Sequence, residues 1–245
     1  MSRPTHENLK IRHKCSKCDL REKNFFCSVS SGVLSTFESL KVTNEYSKGS
    51  TLFSQGQPSI GVYMLCQGRV KLTACSKDGR STILGIVEAG EVLGLGAAIS
   101  DVVHQATAEA IEDCQINFVA KGDFQRFLIH NPEAAFNAAR QLSRDHAAAW
   151  DQIRSLALSH SAAERLARLL LDWSSKNGNG SSKTPMKTVF THEEIAAMIG
   201  SSRETVTRIL KDFRERDLIA INGKELGMLD AKTLESMTGD KKELE

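Results

Sequence analysis

Between Thr191 and Phe213 the chain reads THEEIAAMIGSSRETVTRILKDF, and this stretch leaves few folds open. Thr191-x-x-Glu194 is a capping box, which satisfies the free N–H groups at a helix start. Ile195, Met198 and Ile199 follow as one apolar face, and Gly200 permits a sharp stop. Ser201-x-x-Glu204 predicts a second helix start at once. On it Val206, Ile209, Leu210 and Phe213 fall at i, i+3, i+4 and i+7, a single buried face. Arg203, Glu204, Thr207, Arg208 and Lys211 occupy the other side. Helix, glycine-bearing turn, helix is the helix-turn-helix plan. Leu218-Ile219-Ala220-Ile221 then runs into Asn222-Gly223, a strong hairpin signal. A hairpin there makes a winged variant, with Lys224 near its tip.

Upstream the texture changes twice. From about 28 to 120, glycines separate short β-type runs such as VYMLCQ, RVKLTAC and STILGIV, as in a sandwich or barrel. Ser76-Lys77-Asp78-Gly79 supplies a hairpin turn between two of them. From about 132 to 158 glycine disappears. Pro132 suits a first helical turn. Ala135, Ala139, Leu142, His146, Ala149, Ile153 and Leu156 recur at steps of 4, 3, 4, 3, 4 and 3, a heptad-like seam. The seam suits a dimerising helix or one packed on its own domain. Ser161-x-x-Glu164 opens a further helix with Leu166, Leu169, Leu170 and Trp173 on one face, ending near Asn177. Gly178 to Ser182 reads as a polar loop.

The fold expected is α+β. It has an N-terminal double-stranded β-roll of jelly-roll type, a long dimerisation helix and a C-terminal winged helix-turn-helix domain. The boundaries are 1–27 for a cysteine-containing arm, 28–130 for the roll, 131–158 for the helix and 159–235 for the winged domain.

Composition excludes several classes. Hydrophobic residues make up 40% of 245 and the net charge is +2, ordinary for a globular chain. No run nears the ~18 apolar residues that span a bilayer, and the start has no signal-peptide core, so the expected compartment is the cytoplasm with no membrane partner. The 6 cysteines are then reduced thiols or metal ligands. No G-x-S-x-G, H-E-x-x-H or P-loop is present, so an enzyme reading has no support.

The polar stripe suits double-stranded DNA. The major groove admits one helix, and each base pair shows a distinct donor and acceptor pattern there. Arg203 and Arg208 each suit the O6 and N7 of a guanine, and Glu204 the N4 amine of a cytosine. Thr207 suits a thymine methyl or a phosphate. Lys211 and Lys224 suit phosphates, and the helix-end residues Thr191, Ser201 and Ser202 complete the set.

IGSSRETVTRILKDFRERDLI followed by NGK resembles the C-terminal domain of the Crp/Fnr family of bacterial transcription regulators. KGSTLFSQGQPSIGVYMLCQGRVKL and AGEVLG resemble the same family's cyclic-nucleotide-binding-type β-roll. The resemblance covers roughly 30–230. It implies a homodimer that engages RNA polymerase, with Arg203, Glu204 and Arg208 reading a TGTGA-type half-site. It also implies effector contacts around Gly90, Glu91, Gly94, Leu95, His104 and Gln105. Leu95 stands where cAMP-responsive members carry the ribose glutamate, and His104-Gln105 where they carry an arginine for the phosphate. That argues against an ordinary cyclic nucleotide. Another small ligand in the roll stays open, as does a sensor that acts through protein partners.

The cysteines offer a rival. Oxygen-sensing family members use an N-terminal cysteine cluster plus one from the roll. Cys15, Cys18 and Cys27 give C-x2-C-x8-C, with Cys114 the candidate fourth ligand of an iron–sulfur cluster or metal. Cys66 and Cys75, on β-type runs, read as small core residues. His146 reads as a seam edge residue or a pH-sensitive dimer contact.

Overall fold

The computed structural model describes residues 15–18, 20, 27–177, 186–187, 190–222 and 225–238. Residues 1–149 and 150–245 form two compact units. The division falls inside a long helix, and each unit is described by itself.

In the first unit a 3-10 turn, Cys15–Lys17, precedes α1, Ser31–Leu40. Eight strands follow: β1 Val42–Tyr46, β2 Thr51–Phe53, β3 Gly61–Gln67, β4 Arg69–Cys75, β5 Ser81–Glu88, β6 Val92–Leu93, β7 Thr107–Ala110 and β8 Cys114–Ala120. Helix α2, Leu95–Ser100, lies between β6 and β7, and α3, Lys121–His130, follows β8. Helix α4, Pro132–Leu158, crosses the division. The strands form two four-stranded antiparallel sheets, ordered β1-β8-β3-β6 and β2-β7-β4-β5, which is the double-stranded roll.

Strand alternation sets two cores. Tyr63 and Leu65 of β3, with Cys114, Ile116 and Phe118 of β8, meet Leu52, Phe53 and Val70 inside the roll. Val62, Met64 and Val119 point the other way, under a cover of Phe37, Phe124, Phe127, Ala134 and Ala138 from the helices. The β4–β5 hairpin forms at the expected place but with a longer turn. Cys75 pairs with Ser81, and the loop between is closed by Ser76 N–H donating to the Arg80 carbonyl at 2.8 Å.

The first turns of α4 bury Ala134, Asn137, Ala138 and Gln141. Gln141 receives the Val92 N–H on its carbonyl at 3.1 Å and donates its amide to the Val92 carbonyl at 2.7 Å. Of the heptad seam, Ala135 and Leu142 are half-buried, while Ala139, His146, Ala149, Ile153 and Leu156 are exposed.

The second unit contains α5 Ala162–Asn177, β9 Met186–Lys187, α6 His192–Ile199, α7 Arg203–Glu215, β10 Ile219–Asn222, β11 Glu225–Met228 and α8 Ala231–Met237. Its core joins Leu166 and Leu170 of α5 to Ile195, Val206, Leu210, Phe213, Ile219 and Leu234. The expected hairpin is β10–β11, with Asn222 opposite Glu225. A third strand, β9, pairs on β11 and carries no pattern that two residues alone can show. The predicted loop Gly178 to Ser182 lies outside the described residues.

Gly68, between β3 and β4, sits at φ +91, and a Cβ there would lie 2.6 Å from both the Asp113 carbonyl oxygen and Cys114 Sγ. Gly68→Ala is therefore expected to destabilise the roll by about 1–3 kcal/mol in urea titration. Gly85→Ala, where a Cβ meets nothing within 4 Å, should stay within about 0.5 kcal/mol of wild type.

Candidate nucleic-acid interface

Helix α6 starts on the expected box. Thr191 Oγ1 accepts from Glu194 N–H at 3.2 Å, and the Glu194 carboxylate accepts from Thr191 N–H at 3.0 Å. The helix stops at Gly200, whose φ of +60 is the left-handed conformation that favours glycine. Ser201 N–H then bonds back to the Ala196 carbonyl at 2.9 Å. This turn consumes Ser201, so α7 is capped by Ser202, whose Oγ accepts from Thr205 N–H at 3.2 Å. The expected box at Ser201-x-x-Glu204 is thus replaced by a simple serine cap one residue later. Arg165 of α5 locks the joint by donating from Nε to the Ile199 carbonyl at 2.7 Å.

On α7, Val206, Ile209, Leu210 and Phe213 are buried. Arg203, Glu204, Thr207, Arg208 and Lys211 are all exposed along the opposite stripe. Hydrogen bonds from its own backbone and from Ser202 hold the Glu204 carboxyl below the usual range, so it is an ionised acceptor. Thr207 Oγ1 donates to the Arg203 carbonyl at 2.9 Å and meets His192 Nδ1 at 2.8 Å. Lys211 pairs with Glu215 at 3.7 Å. Arg165 and His192 were not foreseen, because their bonds join residues 34 and 15 apart in the chain. Lys224 lies outside the described residues.

The effector candidates separate. Gly94 and His104 touch, since a Cβ on Gly94 would stand 3.1 Å from His104 Cε1. His104 is buried and stacked on Phe53, with ring centroids 3.9 Å apart. Leu95 turns away into the cluster under the helices. Gly90 N–H donates to the Leu65 carbonyl at 2.6 Å, and the Glu91 carboxylate accepts from Glu88 N–H at 2.8 Å within its own turn. Gln105 is exposed and donates to the Val103 carbonyl at 3.1 Å. Leucine and a buried imidazole supply neither the ribose acceptor nor the charged phosphate partner, so these side chains do not fit a cyclic nucleotide.

The cysteine expectation needs correction. Cys114 is fully buried inside the roll, its thiol directed at the carbonyls of Arg69 and Glu112 at 3.4 and 3.2 Å. It belongs to the even-numbered positions of β8, which face the interior. The cysteine that meets Cys15, Cys18 and Cys27 is Cys66, and all four line one small pocket with Asn117. Cys66 packs at the edge of the core under the helices, as expected of a small core residue, whereas Cys75 is exposed at the end of β4. Burial, the first cause in each case, pushes the Cys27 and Cys66 thiols up to about 12. All of these are free thiols. Among the described residues, no three His, Cys, Asp or Glu side chains are arranged to hold a single metal ion.

A family model for the cyclic nucleotide-binding domain matches residues 43–131, and one for the Crp-like helix-turn-helix domain matches 164–237. The nitrogen fixation regulation protein FixK of Bradyrhizobium diazoefficiens is 27% identical over 230 residues, covering 92% of this chain and 94% of that protein. The cAMP-activated global transcriptional regulator CRP of Salmonella typhimurium is 26% identical over 184 residues, 75% of this chain and 87% of that one. Among solved structures, a CRP/FNR-family transcriptional regulator from Thermus thermophilus superposes with a TM-score of 0.66 at 26% identity, covering 81% of this chain and 98% of that one. The fold is shared with FixK2 from Bradyrhizobium japonicum at a TM-score of 0.72 and 22% identity, covering 80% of this chain and 96% of that one.

His104 makes the roll's acid response testable. Its Nε2 has no hydrogen-bond partner among the described residues, and burial pushes its pKa below the ordinary 6.5. The unfolded chain therefore takes up this proton first as pH falls. The stability His104 contributes is complete above about pH 6.5 and is lost as pH drops through the folded value. Urea midpoints measured from about pH 7 to about pH 5 should fall for wild type, and less for His104→Phe, which keeps the stacking but cannot titrate.

Proposed function

The chain belongs to the Crp/Fnr family of DNA-binding transcription regulators, and on that footing we propose that it acts as a homodimer reading an inverted repeat of TGTGA-like half-sites in double-stranded DNA. One observation carries this reading. Arg203, Glu204, Thr207 and Arg208 stand exposed on one stripe of a helix whose opposite face is fixed in the core. Arg203 and Arg208 fork onto guanine edges, Glu204 accepts from cytosine, and Thr207 touches a thymine methyl or a phosphate. Lys211 and Lys224 serve the phosphates, while Thr191, Ser201 and Ser202 hold the helix ends near the backbone.

Two recognition helices then enter successive major grooves about 34–36 Å apart. The exposed stripe Ala139, His146, Ala149, Ile153 on α4 supports pairing through that helix. The compartment proposed is the cytoplasm, where the DNA and the second partner, RNA polymerase, are found. The roll or the cysteine pocket carries the effector that shifts the DNA-competent population. Cyclic AMP is the effector named for the CRP relatives, but Leu95 and His104 speak against it here. A second reading, a metal or redox sensor, is favoured by the pocket lined by Cys15, Cys18, Cys27 and Cys66.

Selection from a random oligonucleotide pool tests the main reading, and recovery of no common motif would sink it. Arg203→Ala and Arg208→Ala should each lose about 1–3 kcal/mol on the selected site and relax one base position. Lys211→Ala should weaken all sequences alike and flatten the salt slope by about one unit. An equal loss on every sequence for Arg208→Ala would remove it from base readout. Ile153→Glu should convert a dimer to a monomer in sedimentation velocity, and a dimer that persists would rule out pairing along this stripe.

A further inference from the structure

We propose that His192 is a positioning residue for base readout, one that commits the Thr207 hydroxyl to the protein so that Thr207 recognises a thymine methyl rather than a phosphate. This role rests on the reading of α7 as the recognition helix, and it chooses between the two contacts open to Thr207 there.

The first observation is local to α7. Thr207 lies one turn after Arg203 and next to Arg208, exposed on the polar stripe. A helical threonine divides between two χ1 rotamers, because its hydroxyl can bond a carbonyl one turn back. Thr207 Oγ1 makes that bond to the Arg203 carbonyl at 2.9 Å. A back-bond of this kind by itself leaves both rotamers accessible.

The second observation comes from another helix. His192 Nδ1 lies 2.8 Å from the same oxygen. His192 is half-buried and is the first residue of α6, directly after the Thr191 cap. The Thr191–Glu194 box fixes that first turn, and the Arg165 bond to the Ile199 carbonyl holds the joint between α6 and α7. The imidazole therefore meets Thr207 from a set direction. Its bond favours the rotamer that keeps Oγ1 between its two partners. One such hydrogen bond shifts a rotamer equilibrium by about twofold to tenfold.

The consequence is chemical. A threonine hydroxyl has one proton to donate, and a backbone carbonyl can only accept. The hydroxyl that holds the Arg203 carbonyl has therefore given its proton. Phosphate oxygens are acceptors too, so in this state Thr207 has no proton for the DNA backbone. What remains for recognition is apolar contact, which a thymine methyl offers.

The test uses the full chain and the site recovered by oligonucleotide selection. Each thymine of that site is replaced in turn by uracil, which removes only the methyl, and affinities are compared by competition. Wild type should lose about fourfold at one position per half-site, the contribution of one buried methyl. Thr207→Ser keeps the hydroxyl without the methyl and should abolish that preference. Thr207→Val keeps a methyl in one dominant helical rotamer and should retain the preference, whatever its overall affinity. His192→Ala should reduce the preference in the threonine protein. In the Thr207→Val protein it should change nothing, because valine has no hydroxyl to position. His192→Asn, whose amide can replace Nδ1, should keep part of the preference.

An equal loss on every sequence for Thr207→Val, with Thr207→Ser binding like wild type, would assign Thr207 to a phosphate and overturn the proposal. An equal effect of His192→Ala in both backgrounds would overturn it as well, since a purely structural histidine behaves that way. A selected motif with no uracil-sensitive thymine removes the role of His192 and leaves α7 as the recognition helix. Failure to select any motif removes the recognition helix, and this role with it.

Discussion

The two-residue period of β3 and β8 divides the first unit into everything else it contains. Each strand sends one set of side chains into the roll and the other under the helices. A shift of one residue would exchange the two sets. The aromatic filling of the interior, the helical cover and the identity of the pocket cysteines all follow from that parity. Phe53, Tyr63 and His104 fill the space between the sheets through ring contacts at 5.5 and 3.9 Å. Phe53 is thus the ring that joins Tyr63 of β3 to His104 inside the roll.

In the second unit the controlling period is 3.6. One stripe of α7 is anchored by Val206, Ile209, Leu210 and Phe213, and this anchoring gives the opposite stripe a fixed direction. The joint before it is equally constrained. The αL turn at Gly200, the Arg165 bond to the Ile199 carbonyl and the Thr191 box leave little freedom in how α7 departs from α6. Rigid presentation matters because base readout depends on aligned hydrogen bonds, which weaken steeply with angle.

Local chemistry was legible in the sequence, and long-range register was not. The Thr191 box, the stop at Gly200, the apolar face of α7 and the β10–β11 hairpin all follow from residues within a few positions of one another. The second cap was misplaced because Ser201 alone has a glutamate three residues on, yet its N–H is used in the turn after Gly200 and the cap falls to Ser202. The exposed stripe of α7 was readable as the complement of its apolar face. The cysteine set was not readable in full. Whether Cys66 or Cys114 joins the N-terminal three depends on which alternate set of β3 and of β8 faces the roll interior, and that is set by how the strands pair and not by residues beside either cysteine. The same holds for Arg165 and His192, whose partners come from other helices.

The Gln141 side chain holds the backbone of Val92 by both its N–H and its carbonyl, acting as one residue of an added strand beside β6. Both bonds are buried, so water does not replace either when it breaks. Turning α4 about its own axis would therefore forfeit the two together. The two bonds tie Val92 of β6 to the first turns of that helix as a pair, so neither is lost without the other.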